Sequence, residues 1–126
     1  MHGNPESPDT IQNVTYRNID ILEQSEPQID YQGCMAIGGG DNNVIRNITF
    51  DSIRIENIRE GQLINIRTTF NKKYCRAPGR LISNITFKNI NYNGNKPNLS
   101  IISAFDGDHP ITDIHFENFC INGKLI

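Results

Sequence analysis

The chain has 126 residues, a net charge of −2 and an isoelectric point near 5.9, so it fits one domain, residues 1–126, and carries no global basic field to draw nucleic acid. It holds 21 Ile and 17 Asn against 5 Leu and 3 Ala; β-branched residues favour strands and Asn tolerates left-handed backbone, so short strands with sharp corners are expected rather than helices. No apolar run reaches the roughly 18 residues that a membrane-spanning helix needs, so neither a membrane nor a nucleic acid is an expected partner.

The opening segment, Met1-His2-Gly3-Asn4-Pro5-Glu6-Ser7-Pro8, is polar and has no apolar signal region, so an export signal is expected to lie upstream or to be absent. The first element follows at Ile11–Ile21 and recurs at Ile45–Ile55, Ile82–Tyr92 and Ile111–Ile121. Aligned on Asn13, Asn47, Asn84 and Asp113, the copies have apolar residues at −2, +1, +3, +6 and +8, with anchor spacings of 34, 37 and 29 residues. Val14 and Tyr16 alternate as one strand face, as do Ile19 and Ile21, but the step from Tyr16 to Ile19 is three. Each copy therefore reads as strand, corner, strand. One corner lies at the anchor, the other at Asn18, Ser52, Asn89 and Asn118.

Between the copies, Met35-Ala36-Ile37, Ile64-Asn65-Ile66 and the stretch from Leu99 to Ile102 supply a third strand. Three strands per period of about 30 residues predict an all-β parallel β-helix, a solenoid of about four coils. A leucine-rich repeat would need Leu, and a helical repeat would need apolar residues at helical spacing. Stacked coils would align Asn13, Asn47 and Asn84 in one amide ladder continued by Asp113, with Asn18, Ser52, Asn89 and Asn118 in another. The Asn-x-Thr patterns at Asn13, Asn47 and Asn84 then belong to the ladder rather than to glycosylation; Asn98-Leu99-Ser100 matches the same pattern.

Three loops depart from the repeat. Gly38-Gly39-Gly40-Asp41-Asn42-Asn43 is expected to be a tight turn in which glycine supplies positive φ, with Asp41 a candidate for a substrate groove. The segment from Thr68 to Arg80 holds four of the twelve basic residues, with Arg67 at its base. Arg67, Lys72, Lys73, Tyr74 and Arg76 are candidates for holding an anionic sugar, guanidinium forks on a carboxylate and an aromatic under the ring. Asp106-Gly107-Asp108-His109-Pro110 lacks the remaining ligands of a calcium loop and reads as a turn. Cys34, Cys75 and Cys120 suit neither a disulfide framework nor a zinc site, and no metal or other cofactor is expected.

The motif Ile/Val-x-Asn-Ile/Val-Thr-Phe/Tyr-x-Asn-Ile resembles the coils of polygalacturonase-type glycoside hydrolases, in the pectate-lyase-like right-handed β-helix class, over roughly residues 11–123. The resemblance implies inverting hydrolysis of a polysaccharide or oligosaccharide, acidic ones included, by a secreted or periplasmic parent. In that family a Gly-His-Gly motif follows the catalytic aspartates; Met1-His2-Gly3 matches its histidine and second glycine, which makes His2 a candidate catalytic residue. The family's Arg-x-Lys motif is replaced by Cys34-Met35-Ala36-Ile37-Gly38, a departure that weighs against galacturonate, and Arg67 stands one coil too late to replace it. The family's aspartates would lie before Met1. The expected function is thus the C-terminal part of a polysaccharide-degrading hydrolase, inactive alone; the alternative is a non-catalytic β-helix module that binds glycan or assembles. An open N-terminal end, with Val14, Tyr16, Ile19 and Ile21 at its edge, predicts a homodimer, and Asn122-Gly123-Lys124 is expected to protect the other end.

Overall fold

The computed structural model describes residues 1–95 and 100–126, which are all-β, with no helix among them. The four copies of the repeat become the long strands β1 (Thr10–Ile21), β4 (Val44–Ile55), β7 (Leu81–Tyr92) and β9 (Ile111–Ile121). They pair in parallel in the order β1-β4-β7-β9. The register aligns like with like: Ile11, Ile45, Ile82 and Ile111 are successive partners, and so are Tyr16, Phe50, Phe87 and Phe116. All five apolar positions of the two central copies are buried, from Ile45 to Ile55 and from Ile82 to Tyr92. The aromatic position forms a continuous stack, with ring centroids 5.1, 5.2 and 5.4 Å apart and planes within 15° of parallel. That spacing is close to the distance between neighbouring strands, so the backbone register sets the ring contacts.

The corners are where the apolar phase places them, but each is a single residue inside an unbroken strand. All eight corner residues have positive φ, from 50° at Asn118 to 59° at Asn13 and Ser52. The ladder pairing skips them, which reverses the alternation and turns both flanking apolar sets inward. Asn47 donates through Nδ2 to Asn13 Oδ1 at 3.0 Å, and Asn84 to Asn47 Oδ1 at 2.9 Å. The expected continuation to Asp113 does not form: no hydrogen bond joins it to Asn84 among the described residues, since an aspartate side chain lacks the amide N–H that each earlier rung donates. In the second column Asn118 donates to Asn89 at 2.9 Å, but Asn89 and Ser52 both donate to the neighbouring Asp51 Oδ1. Arg17 and Lys88 flank the same carboxylate. These hydrogen bonds, Asn89's foremost, hold the Asp51 pKa below the ordinary aspartate value.

The inter-repeat strands appear as β3 (Met35–Gly39), β6 (Ile64–Thr68) and β8 (Ile101–Ser103), paired in parallel in the order β3-β6-β8. Leu99, at the start of the third expected strand, and Asn98 of the fourth Asn-x-Ser/Thr pattern lie outside the described residues. A further two-stranded parallel sheet, β2 (Gln24–Ser25) with β5 (Ile58–Glu60), carries no alternation readable in sequence; only Ile58 of its residues is in the core. Beyond β9 the chain turns at Asn122 and Gly123, both at positive φ, into β10 (Lys124–Leu125), which pairs antiparallel with Cys120 and Ile121. This hairpin covers one end of the β9 edge only.

Candidate functional site

The side chains that carry chemistry gather on the outer face of β3-β6-β8. Register places Gly38, Arg67 and Ser103 side by side there. A hollow of about 380 Å³ lies over this row, lined by Asp30, Tyr31, Arg67, Thr68, Thr69, Phe70, Asn71, Ser103, Ala104 and Phe105. Its walls are fixed from beneath. Asn65, buried in β6, donates through Nδ2 to Ile29 O at 2.8 Å and Gln32 O at 3.1 Å, pinning the loop that presents Asp30 and Tyr31. Thr68 Oγ1 donates to His109 O at 2.7 Å and accepts from Phe105 N at 2.8 Å, anchoring the opposite wall. Phe105 meets Phe70 edge-on at 6.1 Å and His109 at 5.8 Å.

Arg67 donates from Nη1 to Asp30 Oδ1 at 2.7 Å. That contact orients the guanidinium and engages one of its donors. Asp30, the hollow's one acidic lining residue, is therefore ion-paired. A second hollow of about 190 Å³ adjoins the first, sharing Tyr31, Thr69 and Asn71, and is bounded by His2, Gly38 and Tyr74. His2 stacks on Tyr74 with centroids 5.9 Å apart, and Lys73 Nζ lies 5.2 Å from the same ring. Lys72 Nζ sits 5.9 Å from the Phe70 ring.

Two candidates are occupied elsewhere. Arg76 forks onto Glu6, donating from Nη1 at 3.0 Å and Nη2 at 2.8 Å, with Asn4 accepting a further bond. Asp41 is 1% exposed, and its carboxylate is enclosed by backbone donors: Gly3 N at 2.8 Å, Arg76 N at 2.7 Å and Ala77 N at 3.2 Å. It clasps the N-terminal segment and the loop after β6 to the end of β3. In that turn the positive φ falls on Asp41 (52°) and Asn42 (60°), not on the glycines as expected. Asp and Asn are the non-glycine residues that enter this region most readily, and here their side chains are held by distant backbone, Asp41 by Gly3, Arg76 and Ala77 and Asn42 by Pro5 O at 3.3 Å. Gly40 answers a different need: a Cβ there would come within 2.6 Å of Cys75 Sγ.

The donors around Asp41, Gly3 N first, hold its carboxyl below the ordinary aspartate value of 3.8. A depressed carboxylate contributes stability that is complete above the unfolded value and is lost as pH falls through the folded one. Asp41→Asn is therefore expected to lower the melting temperature at pH 7 and to flatten its decline below pH 3.8. Melts across an acid series check this; parallel curves for the two proteins would contradict it.

Asp106-Gly107-Asp108-His109 forms a turn in which His109 Nδ1 lies 2.6 Å from Asp106 Oδ1 and Asp108 N donates to the same oxygen at 2.9 Å. The contact with His109 is the main cause of a lowered Asp106 pKa. No group of three His, Cys, Asp or Glu side chains suited to a metal occurs among the described residues. Cys75 is buried, Cys34 and Cys120 are half-buried, and all three are free thiols. Burial raises the Cys34 thiol to about 11.

The structure thus brings Arg67, Tyr74, Lys72, Lys73 and His2 around one face and adds Asp30, Tyr31, Phe70, Asn71, Ser103 and Phe105, which the sequence did not single out. Asp30 and Tyr31 sit in a stretch without repeat character, and the Asn65 anchor and the Arg67–Asp30 ion pair bring them to the sheet. Searches against family models, curated proteins and solved structures return no match to this chain.

Proposed function

We propose that the chain is a segment of a right-handed parallel β-helix whose β3-β6-β8 face binds an oligosaccharide, as part of a polysaccharide-degrading hydrolase of the polygalacturonase type. The observation that carries this reading is the hollow over Arg67. It combines a guanidinium oriented by Asp30, the amide of Asn71, the hydroxyl of Ser103 and the rings of Tyr31 and Phe105. Sugar rings offer an apolar face for stacking and a hydroxyl rim for hydrogen bonds, and a uronate adds a carboxylate for the fork. The parallel pairing of four copies in matched register supports the β-helix reading.

Binding without turnover is the activity expected of this chain alone. Glycoside hydrolysis takes two carboxyl groups across the scissile bond, whereas one acidic residue lines the hollow, and it is paired with Arg67. The same observation favours the second reading, a non-catalytic glycan-binding module. Purified chain incubated with polygalacturonate and with neutral aryl glycosides is expected to release no product; turnover by the purified chain, whether or not it persists in His2→Ala, would contradict this.

Calorimetry tests the binding itself. Arg67→Ala is expected to weaken an acidic oligosaccharide about tenfold or more, the loss of one charge-assisted contact, and to spare a neutral one. The triple change of Lys72, Lys73 and Arg76 to Ser is expected to matter less, because Arg76 is engaged with Glu6. Equal affinities for wild type and Arg67→Ala would remove the hollow as the site.

A further inference from the structure

We propose that the chain assembles head to tail, with the free edge of β9 in one copy pairing in parallel with the free edge of β1 in the next. This goes beyond glycan binding and rests on the register of the long sheet.

Both outer strands expose the same pattern. Tyr16 is 47% exposed and Phe116 45%, each showing one free ring face at an end of the aromatic stack. At the β1 end an apolar hollow of about 440 Å³ opens, bounded by Ile11, Tyr16, Ile19 and Phe50 among others. Laying β9 of one copy against β1 of the next, with Asp113 at Asn13 and Asn118 at Asn18, repeats the register already used three times in the chain.

Three kinds of complementarity select this occupant. The amide ladder has a direction: Asn84 donates to Asn47, and Asn47 to Asn13, which leaves the Asn13 amide pointing its donors out of the β1 end. Asp113, at the other end, is purely an acceptor when ionised. Asn118 likewise donates inward to Asn89, and its oxygen, which accepts a weak bond from Cys120 Sγ at 3.9 Å, keeps a second lone pair for the Asn18 amide of the next copy. The outward column of Arg17, Asp51, Lys88 and Glu117 alternates in sign, and a second copy continues the alternation by bringing Arg17 to Glu117. Phe116 and Tyr16 would meet as the fourth contact of the ring stack.

A closed two-fold pair of β1 edges fits poorly. Antiparallel pairing that superposes the two corners sets Asn13 opposite Asn18. It then places Val14 opposite Arg17, Ile11 opposite Asp20 and Ile19 opposite Gln12, so every apolar residue meets a polar one. A head-to-tail contact has no such mismatch, and being heterologous it propagates rather than closing. The C-terminal hairpin occupies the Phe119–Ile121 end of the β9 edge, through β10 and the bond from Ile126 N to Phe119 O at 2.8 Å, and must give way, which makes it a stop on growth.

The test is sedimentation of the full chain across a concentration series, with Tyr16→Lys and Phe116→Lys variants and their mixture. Wild type is expected to grow beyond a dimer as concentration rises. Each variant alone should associate more than about tenfold more weakly. Their equimolar mixture should form a one-to-one dimer, because each supplies the end that the other lacks. Circular dichroism confirms that each variant remains β-structured; if Tyr16→Lys does not fold, Ile11→Lys takes its place. A monomer at every concentration overturns the proposal and leaves the edge to a different chain or a further repeat. Dimerisation of Phe116→Lys alone, or a mixture with no new species, overturns it in favour of paired β1 ends.

Discussion

Replacing Phe87 with alanine is expected to cost about 3–5 kcal/mol, a large part of the stability of a chain this size. Phe87 is fully buried at the middle of the aromatic stack, 5.2 Å from Phe50 and 5.4 Å from Phe116, with Phe119 edge-on at 6.2 Å. Truncation removes the ring from all three neighbours, and the surrounding Ile columns are held in strand register and cannot collapse into the gap. The cost is therefore lost burial plus an unrelaxed cavity. Phe116→Ala, at the end of the same stack, should cost less than about 1.5 kcal/mol because nearly half of its ring already meets water. Urea unfolding of both variants measures the difference. Equal losses would mean that the stack is not packed through its centre.

Asn47→Ala is expected to cost about 2–3 kcal/mol, more than its exposure suggests. Asn47 lies at φ 55°, where alanine is strained by about 1–2 kcal/mol. Its amide is also the middle rung, donating to Asn13 and accepting from Asn84. The rung is solvated, so freed partners turn to water and its loss adds only about 1 kcal/mol. Asn47→Gly separates the terms: glycine accepts the backbone but makes no rung, and should recover the strain component. Thermal melts in which the two variants coincide would leave backbone strain without a role, and melts unchanged by either would count against the ladder altogether.

The long sheet was legible because its signals are periodic. Apolar residues at fixed offsets from Asn13, Asn47, Asn84 and Asp113 identified inward positions, and the three-residue step identified the corners that the φ angles display. Chemistry within a column was less legible. Ser52 and Asp113 occupy ladder positions by alignment, yet Ser52 turns to the adjacent Asp51 and Asp113 carries no amide N–H, so neither continues its chain of amides. Spacing reports which residues stack, not which lone pairs remain.

The face over Arg67 was only half legible. Arg67, Tyr74 and the lysines drew notice because a basic, aromatic loop interrupts the repeat. Asp30, Tyr31 and Phe105 lie in irregular stretches and reach the sheet through the side chains of Asn65 and Thr68, whose role no periodicity marks. The same blindness assigned a groove to Asp41: a carboxylate after three glycines looks exposed until Gly3, Arg76 and Ala77 close over it. Likewise, Arg76 belongs to the cationic loop in sequence but to Glu6 in space.

Titration of the isotopically labelled chain with a short acidic oligosaccharide, followed by NMR of the backbone amides, decides whether the hollow over Arg67 binds sugar. Saturable shifts are expected, confined to Tyr31, Arg67, Asn71, Ser103 and Phe105 with smaller changes at Tyr74, and they should disappear in Arg67→Ala. Shifts clustered instead along the exposed strands β1 or β9, or no shifts at saturating sugar, would contradict binding there.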